Sequence, residues 1–276
     1  MKEFKACLKK EFIEQFRTGK FLIFTVIGIG MAFLAFLTIG MMQAINELGL
    51  DMGEMAANFE PTFLNGTMMF MAYMQSYFYI PIIIMVIGCV SKEIKLKKWT
   101  LPISCGISPS KMIAAKFVVV VSSVVVASII AMLFHFALTL LLSLFFMRPT
   151  INFVSDIGNM FRNYGLFTVF TIFLMIMIIS MNAITKKIWP GIVLAVGIII
   201  LLPTILNTII VGGENLINYT PFFYLNEVSK ASYMLPTGNA SPSPLQWISS
   251  SLSTIGISAL FVFFAIKSTR IGKIAD

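Results

Sequence analysis

Six windows of this 276-residue chain carry no Asp, Glu, Lys or Arg: 21–46, 61–91, 117–147, 163–185, 188–213 and 231–266. A helix rises about 1.5 Å per residue and the hydrocarbon core of a bilayer is roughly 30 Å thick, so about 20 uncharged residues cross it. Every window meets that length. Trimmed at their polar or Pro-rich edges, the windows predict helices at about 21–43, 67–90, 117–146, 163–184, 189–211 and 247–267, and the expected fold class is an all-α integral membrane protein. Composition agrees: 58% of the residues are hydrophobic and 12% charged, about half the charged share of an average globular domain. That balance excludes a water-soluble fold, a disordered chain and a secreted disulfide scaffold.

Basic residues mark one side of the predicted spans. Lys2, Lys5, Lys9, Lys10, Arg17 and Lys20 precede the first; Lys92, Lys95, Lys97, Lys98, Lys111 and Lys116 follow the second; Lys186 and Lys187 follow the fourth; Lys267, Arg270 and Lys273 follow the sixth. Of the 20 basic residues, the alternate loops hold Arg148, Arg162 and Lys230, beside Glu47, Asp51, Glu54, Glu60, Asp156, Glu214 and Glu227. Cationic flanks resist translocation, so both termini are expected in the cytoplasm. The net charge of +8 is therefore a topology signal, and no nucleic-acid partner is expected. An apolar stretch this long after residue 20 does not match a cleaved signal peptide. Cys7, Cys89 and Cys105 fall on or near the reducing side, which predicts no disulfide.

Residues 1–20 read as an amphipathic helix in the headgroup plane: Phe4, Leu8, Phe12 and Phe16 recur every fourth residue, with Glu3, Lys10, Glu14 and Arg17 opposite. Gly19 allows the turn into the first span. Residues 91–116 form the longest loop on the basic side, with Trp99, Leu101, Ile103 and Ile107 as apolar anchors among lysines. On the other side, 212–246 is the largest excursion, and its run Tyr219, Pro221, Phe222, Phe223, Tyr224, Leu225 predicts a re-entrant or interfacial helical piece packed against the spans.

Inside the spans, Ser123, Ala127 and Ala131 repeat at intervals of four, and Gly28 and Gly30 thin the first span, so these faces suit close helix packing. Pro81 and Pro203 remove backbone donors at mid-depth and predict kinks. No charged residue lies within a span, which argues against a carrier driven by its own ion gradient. His135 is a lone histidine at depth, without a carboxylate partner. A phosphate-binding Gly-rich loop, a zinc-protease motif and paired carboxylates are all missing, so no catalytic residue, metal site or bound cofactor is predicted.

Two stretches are more specific. Ser91-Lys-Glu-Ile-Lys-Leu-Lys-Lys-Trp-Thr-Leu101 and Gly106-Ile-Ser-Pro-Ser-Lys-Met-Ile-Ala-Ala-Lys116 set a Glu among basic residues, then Thr-Leu, then Pro with a hydrophobic residue and Ser, then a Lys opening span three. With the amphipathic first helix, six spans and an aromatic excursion before the sixth, this resembles the membrane permease of the ABC exporter type 2 family. Gly106 stands where that family often has Pro. The resemblance implies a permease subunit, itself not an enzyme, that pairs with an identical or different permease and with two cytosolic ATPase subunits, where ATP and Mg are bound. It implies that Glu93, Trp99, Thr100, Ile107, Ser108 and Lys111 couple to the ATPase.

Candidate pathway residues are Tyr73, Gln75, Tyr77 and Pro81 on span two, His135 on span three, and Pro203 and Asn207 on span five. Phe222, Phe223 and Tyr224 are the candidate outer gate. An uncharged aromatic path suits a hydrophobic or amphipathic cargo such as an antimicrobial peptide, a drug or a lipid. The expected location is a bacterial cell membrane, in contact with the lipid bilayer. Two other readings stand beside this one: a non-transporting membrane scaffold or immunity protein, and a channel or carrier using His135.

Overall fold

The structure, a computed structural model, describes residues 2–48, 63–77, 81, 83, 86, 90, 93, 96–145, 153–187, 189–232 and 242–271. The first helix, α1 (Lys2–Arg17), ends where Thr18 Oγ1 donates to the Glu14 carbonyl at 2.7 Å and Gly19 adopts a φ of +69°, a conformation that glycine takes without a Cβ clash. That turn leads into α2 (Lys20–Glu47), followed by α3 (Phe63–Tyr77); residues 81, 83, 86, 90 and 93 are each helical as well. A short α4 (Thr100–Ser104) precedes α5 (Pro109–Phe145), and α6 (Phe153–Thr185) and α7 (Trp189–Val196) follow. After a π-helical turn at Gly197–Leu201 comes α8 (Leu202–Thr208). A two-residue antiparallel pair, β1 (Ile210–Val211) and β2 (Glu214–Asn215), then leads through a 3-10 turn at Leu216–Tyr219 to α9 (Phe223–Ser232) and α10 (Pro244–Ile271).

Five described segments are long and apolar enough to cross a membrane: Lys20–Met41, Pro109–Leu141, Ile157–Thr185, Trp189–Thr208 and Pro244–Ser268. The protein is therefore an all-α, multi-pass membrane protein, with the small β pair as a local exception. The span expected at 67–90 lies partly outside the described residues.

Helix boundaries depart from the sequence expectation in informative ways. Helix α5 starts at Pro109, well before 117, and α6 at Phe153, well before 163. Charge gaps measure the thickness of hydrocarbon, whereas a helix continues beyond it as long as its backbone bonds are satisfied. Pro109 suits the first helical position because its missing N–H has no partner there anyway. Residues 109–116, expected in the loop, are thus the first two turns of α5. The fifth span is not one continuous α-helix: Leu202 N–H bonds to the Gly197 carbonyl, five residues back, in the widened turn just ahead of Pro203. Proline donates nothing to residue i−4 and its ring crowds that carbonyl, so the ladder changes register there.

Helix α6 is the hub. In its membrane-crossing segment 67% of the residues are buried, against 11% in that of α10, and Phe167, Phe170, Leu174, Met175, Ile178 and Ala183 are all enclosed. Helices α2 and α5 pack against each other, and the small residues Ala32 and Ala35 of α2 and Ala127 and Ala131 of α5 are all fully buried. Ser123 is buried too, so the expected small-residue face of α5 does serve for close packing. A Cβ at Gly66 of α3 would lie 2.8 Å from Ile39 Cδ1 and 3.1 Å from Thr139 Cγ2, so α3 sits close against both side chains and a Cβ would make them shift.

Candidate functional site

The lysine-rich end of the molecule holds the densest arrangement of charge. Lys116, at the end of the second turn of α5, has a side chain 3% exposed. Its Nζ lies 2.7 Å from Glu11 Oε2 on α1 and 2.7 Å from Glu93 Oε1, and both carboxylate side chains are 9% exposed. The second Glu93 oxygen accepts a hydrogen bond from Trp99 Nε1 at 2.8 Å, and Trp99 is fully buried. A buried ammonium is tolerated only when its charge is matched and its protons are taken up by acceptors. Here two carboxylates from separate segments do so, and one of them also accepts from the indole. Three parts of the chain are thereby joined: α1, the segment from Glu93 to Trp99, and the root of α5.

Local geometry supports this. The backbone N–H of Lys98 donates to the Glu93 carbonyl at 3.0 Å, and Lys97 sits at φ +55°, so the chain folds back sharply and carries Trp99 inward. Two more exposed pairs flank the network: Lys98 Nζ to Glu14 Oε1 at 3.2 Å and Lys111 Nζ to Glu3 Oε2 at 2.5 Å. Exposed pairs of this kind contribute about 1 kcal/mol or less each. Burial works to raise the Glu14 carboxyl, but the Lys98 hydrogen bond and the charges of Lys116, Lys98 and Lys10 outweigh it, so its pKa lies below the ordinary value. The Lys111 hydrogen bond and charge lower that of Glu3. Burial pushes the Cys7 thiol up. Carboxylate oxygens of Glu11, Glu14 and Glu93 lie within 4.8 Å of one another, and Lys116 supplies the positive charge among them.

The side of α1 that docks on the body is Cys7, Glu11 and Gln15, all buried, with Phe4 and Leu8 packed beside them. Phe12 and Phe16 stay exposed. The apolar stripe expected at a single face is thus divided between the protein core and the surroundings.

Residues expected to couple to a partner separate into two groups. Glu93 and Trp99 face inward, in the network. Thr100 is exposed, with its Oγ1 donating to the Lys97 carbonyl at 2.5 Å; Ile107 and Ser108 are half-buried, and Lys111 pairs with Glu3. The loop between them turns at Gly106, whose φ of +84° proline, fixed near −65°, cannot adopt.

Four of the candidate pathway residues, Tyr73, Gln75, His135 and Asn207, each contact a different neighbour. Tyr73 Oη lies 2.9 Å from Thr38 Oγ1, joining α3 to α2, and Gln75 Nε2 bonds Ser229 Oγ of α9. His135 is fully buried, stacked on Phe70 with ring centroids 4.3 Å apart and an interplanar angle of 8°, and its Nε2 lies 3.2 Å from Thr139 Oγ1. Asn207 is exposed and accepts from Asn215 Nδ2 at 3.0 Å; Pro203 and Pro81 are half-buried. The Tyr77 side chain lies outside the described residues.

Phe222, Phe223 and Tyr224 come together in an aromatic cluster. Phe222 packs on Phe170 and Phe173 of α6, Phe223 meets Trp247 of α10 edge-on at 4.9 Å, and the Tyr224 hydroxyl lies 2.9 Å from Ser251 Oγ. The excursion before the last span is therefore a helical piece packed on the bundle, as its apolar run predicts. On the same side Arg162 pairs with Glu227 at 3.4 Å, and Glu214 accepts from Tyr219 Oη at 2.6 Å and from Gln246.

Two residues at the centre of the network, Glu11 and Lys116, were not singled out as site residues from sequence. The available signals were a Glu on the apolar side of α1, four residues from Cys7 and Gln15, and a Lys abutting an uncharged window on a helix that continues through it. No protein-family model matches the chain, and no curated protein matches it either.

Proposed function

We propose that this chain is the membrane-spanning subunit of an ATP-driven ABC exporter in a bacterial cell membrane, with both termini in the cytoplasm. It would pair with a second permease, identical or different, and with cytosolic ATPase subunits that bind ATP and Mg. Its cargo would be a hydrophobic or amphipathic compound, such as an antimicrobial peptide, a drug or a lipid, leaving the cytoplasm or the inner leaflet.

The observation that carries this reading is the Glu11–Lys116–Glu93 network. It makes α1, the loop carrying Thr100 to Ser108 and the root of α5 a single body, so a push on the loop from the cytoplasm moves a transmembrane helix instead of bending a tether. A chain whose charge-free windows offer no ion-coupling group gains an energy source from such a handle. On this reading Thr100, Ile107, Ser108 and Lys111 meet the ATPase, while Glu93 and Trp99 transmit from behind. His135 is enclosed by Phe70 and Thr139, surroundings that favour a packing role over a proton carrier.

The exposed thiol of Cys105 offers a direct test, because it lies on the same loop. A photoactivatable thiol reagent placed on Cys105 in native membranes, in a Cys89→Ser background, should cross-link an ATPase subunit in an ATP-dependent manner. Repeated recovery of the chain with no ATPase attached would overturn the transporter reading in favour of the scaffold.

A further inference from the structure

Beside the charge network, between α1 and the turn at residues 96–99, lies an open groove of about 870 Å³. Five cations line it: Lys9, Lys10, Arg17, Lys97 and Lys98. The groove's one carboxylate, Glu14, is engaged by Lys98. Lys9, Arg17 and Lys97 make no ion pair among the described residues. Ala6 and Ile13 add an apolar wall, with Ile13 about half exposed, and Phe12 and Phe16 are exposed elsewhere on the same helix. At one end the groove reaches Thr18, two residues before α2 begins, so it opens at the level where the chain enters the bilayer.

We infer that this groove binds the headgroup of an anionic phospholipid. Unmatched positive charge calls for an anion. The apolar wall of Ala6 and Ile13, on a helix that also exposes Phe12 and Phe16, calls for a ligand whose other end is apolar, which free phosphate lacks. A position at the start of a transmembrane helix supplies such a lipid from the surrounding leaflet. The inference goes beyond the proposed function, since it concerns the membrane and not a cargo or an ATPase.

Native mass spectrometry of the delipidated full chain in detergent, offered equal amounts of phosphatidylglycerol and phosphatidylcholine with the same acyl chains, tests it. The wild type should retain phosphatidylglycerol preferentially, and Lys9→Gln/Arg17→Gln/Lys97→Gln should lose about tenfold or more of that preference. The charge-preserving variant Lys9→Arg/Arg17→Lys/Lys97→Arg should keep it, which separates lost charge from misfolding. Lys186→Gln/Lys187→Gln/Lys267→Gln, with equal charge removed elsewhere, should also keep it. An equal loss in this last variant would mean diffuse attraction and would overturn the site. Complete displacement of the lipid by millimolar inorganic phosphate would assign the groove to a free anion, and displacement by a polyglutamate peptide would assign it to an acidic protein segment; either result refutes a lipid site.

Discussion

Replacing Lys116 with Met should be among the most damaging single changes outside the apolar core. Methionine has nearly the length and volume of lysine, so packing is conserved and the loss is electrostatic. The variant leaves Glu11 and Glu93 buried, with carboxylate oxygens within 4.8 Å of each other and of Glu14. At an effective dielectric of about 20, two charges at that distance repel by about 3.5 kcal/mol. Removing one partner of a buried ion pair typically costs about 3–5 kcal/mol, which agrees in size. On the scale known for soluble chains of similar length this corresponds to roughly 6–20 °C in Tm. Thermal unfolding in detergent, followed by intrinsic fluorescence, reads it. Replacing all three members together, Glu11→Gln, Glu93→Gln and Lys116→Met, should recover more than half of the loss, because no uncompensated charge then remains. A shift below about 2 °C for Lys116→Met, or a triple variant no better than the single one, would refute the claim that a charge network holds this end together.

Three further outcomes follow from other contacts. Because the folded pKa of Glu14 is depressed, its contribution to docking α1 is present above the ordinary carboxylate value of 4.5 and is lost as pH falls through the lower folded value. Protection factors within α1, each referred to the intrinsic exchange rate at that pH, should therefore fall on acidification through that range, less so in Lys98→Gln, and a pH-independent protection factor would count against the pair. A Cβ at Gly191 of α7 would overlap the amide of Asn182 on α6, so Gly191→Ala should cost about 1–3 kcal/mol and be largely rescued by Asn182→Ala, as measured by thermal shift. His135→Phe keeps an aromatic ring to stack on Phe70, so in the proposed exporter the partner's ATPase activity with candidate amphipathic compounds, and its pH profile, should be retained; loss of activity with an intact fold would return His135 to the pathway.

Charge gaps locate α2, α5, α6 and α10 because hydrocarbon excludes charge regardless of how helices pack. The same criterion cannot find the break in the fifth span. Gly197–Leu201 is as apolar as any helix, and only Pro203 hints at the change in register. Packing partners are still less legible, since a uniformly apolar helix has no periodicity to show which face meets protein and which meets lipid. On α1 periodicity does exist, but the stripe it groups is divided, with Phe4 and Leu8 packed on the core and Phe12 and Phe16 exposed. It does not reveal that the docking face is centred on Cys7, Glu11 and Gln15, because the charge of Glu11 is matched by a residue more than a hundred positions away. Lys116 reads as a topology signal for the same reason: its partners are distant in sequence.

The two ends of the molecule are fastened by different forces, and this bears on what could move between them. At the basic end, ionic contacts are directional and depend on a few atoms, so α1, the turn at 96–99 and α5 keep fixed relative orientations. At the other end, α9 and the residue before it are held to α6 and α10 mainly by aromatic faces and edges, with the partly exposed Arg162–Glu227 pair and the Tyr224–Ser251 hydrogen bond beside them. Helices α7 and α8 join neither fastening. Only 17% of their membrane-crossing segment is buried, and their helical ladder changes register at the π turn. In the proposed exporter, displacement of the rigid basic end would thus be taken up first where α7 meets α8, before the aromatic cluster yields. The change of ladder falls just ahead of Pro203, whose missing N–H and ring favour it. Exchanging Pro203 for Ala should then restore a continuous α-helix and weaken coupling without lowering stability.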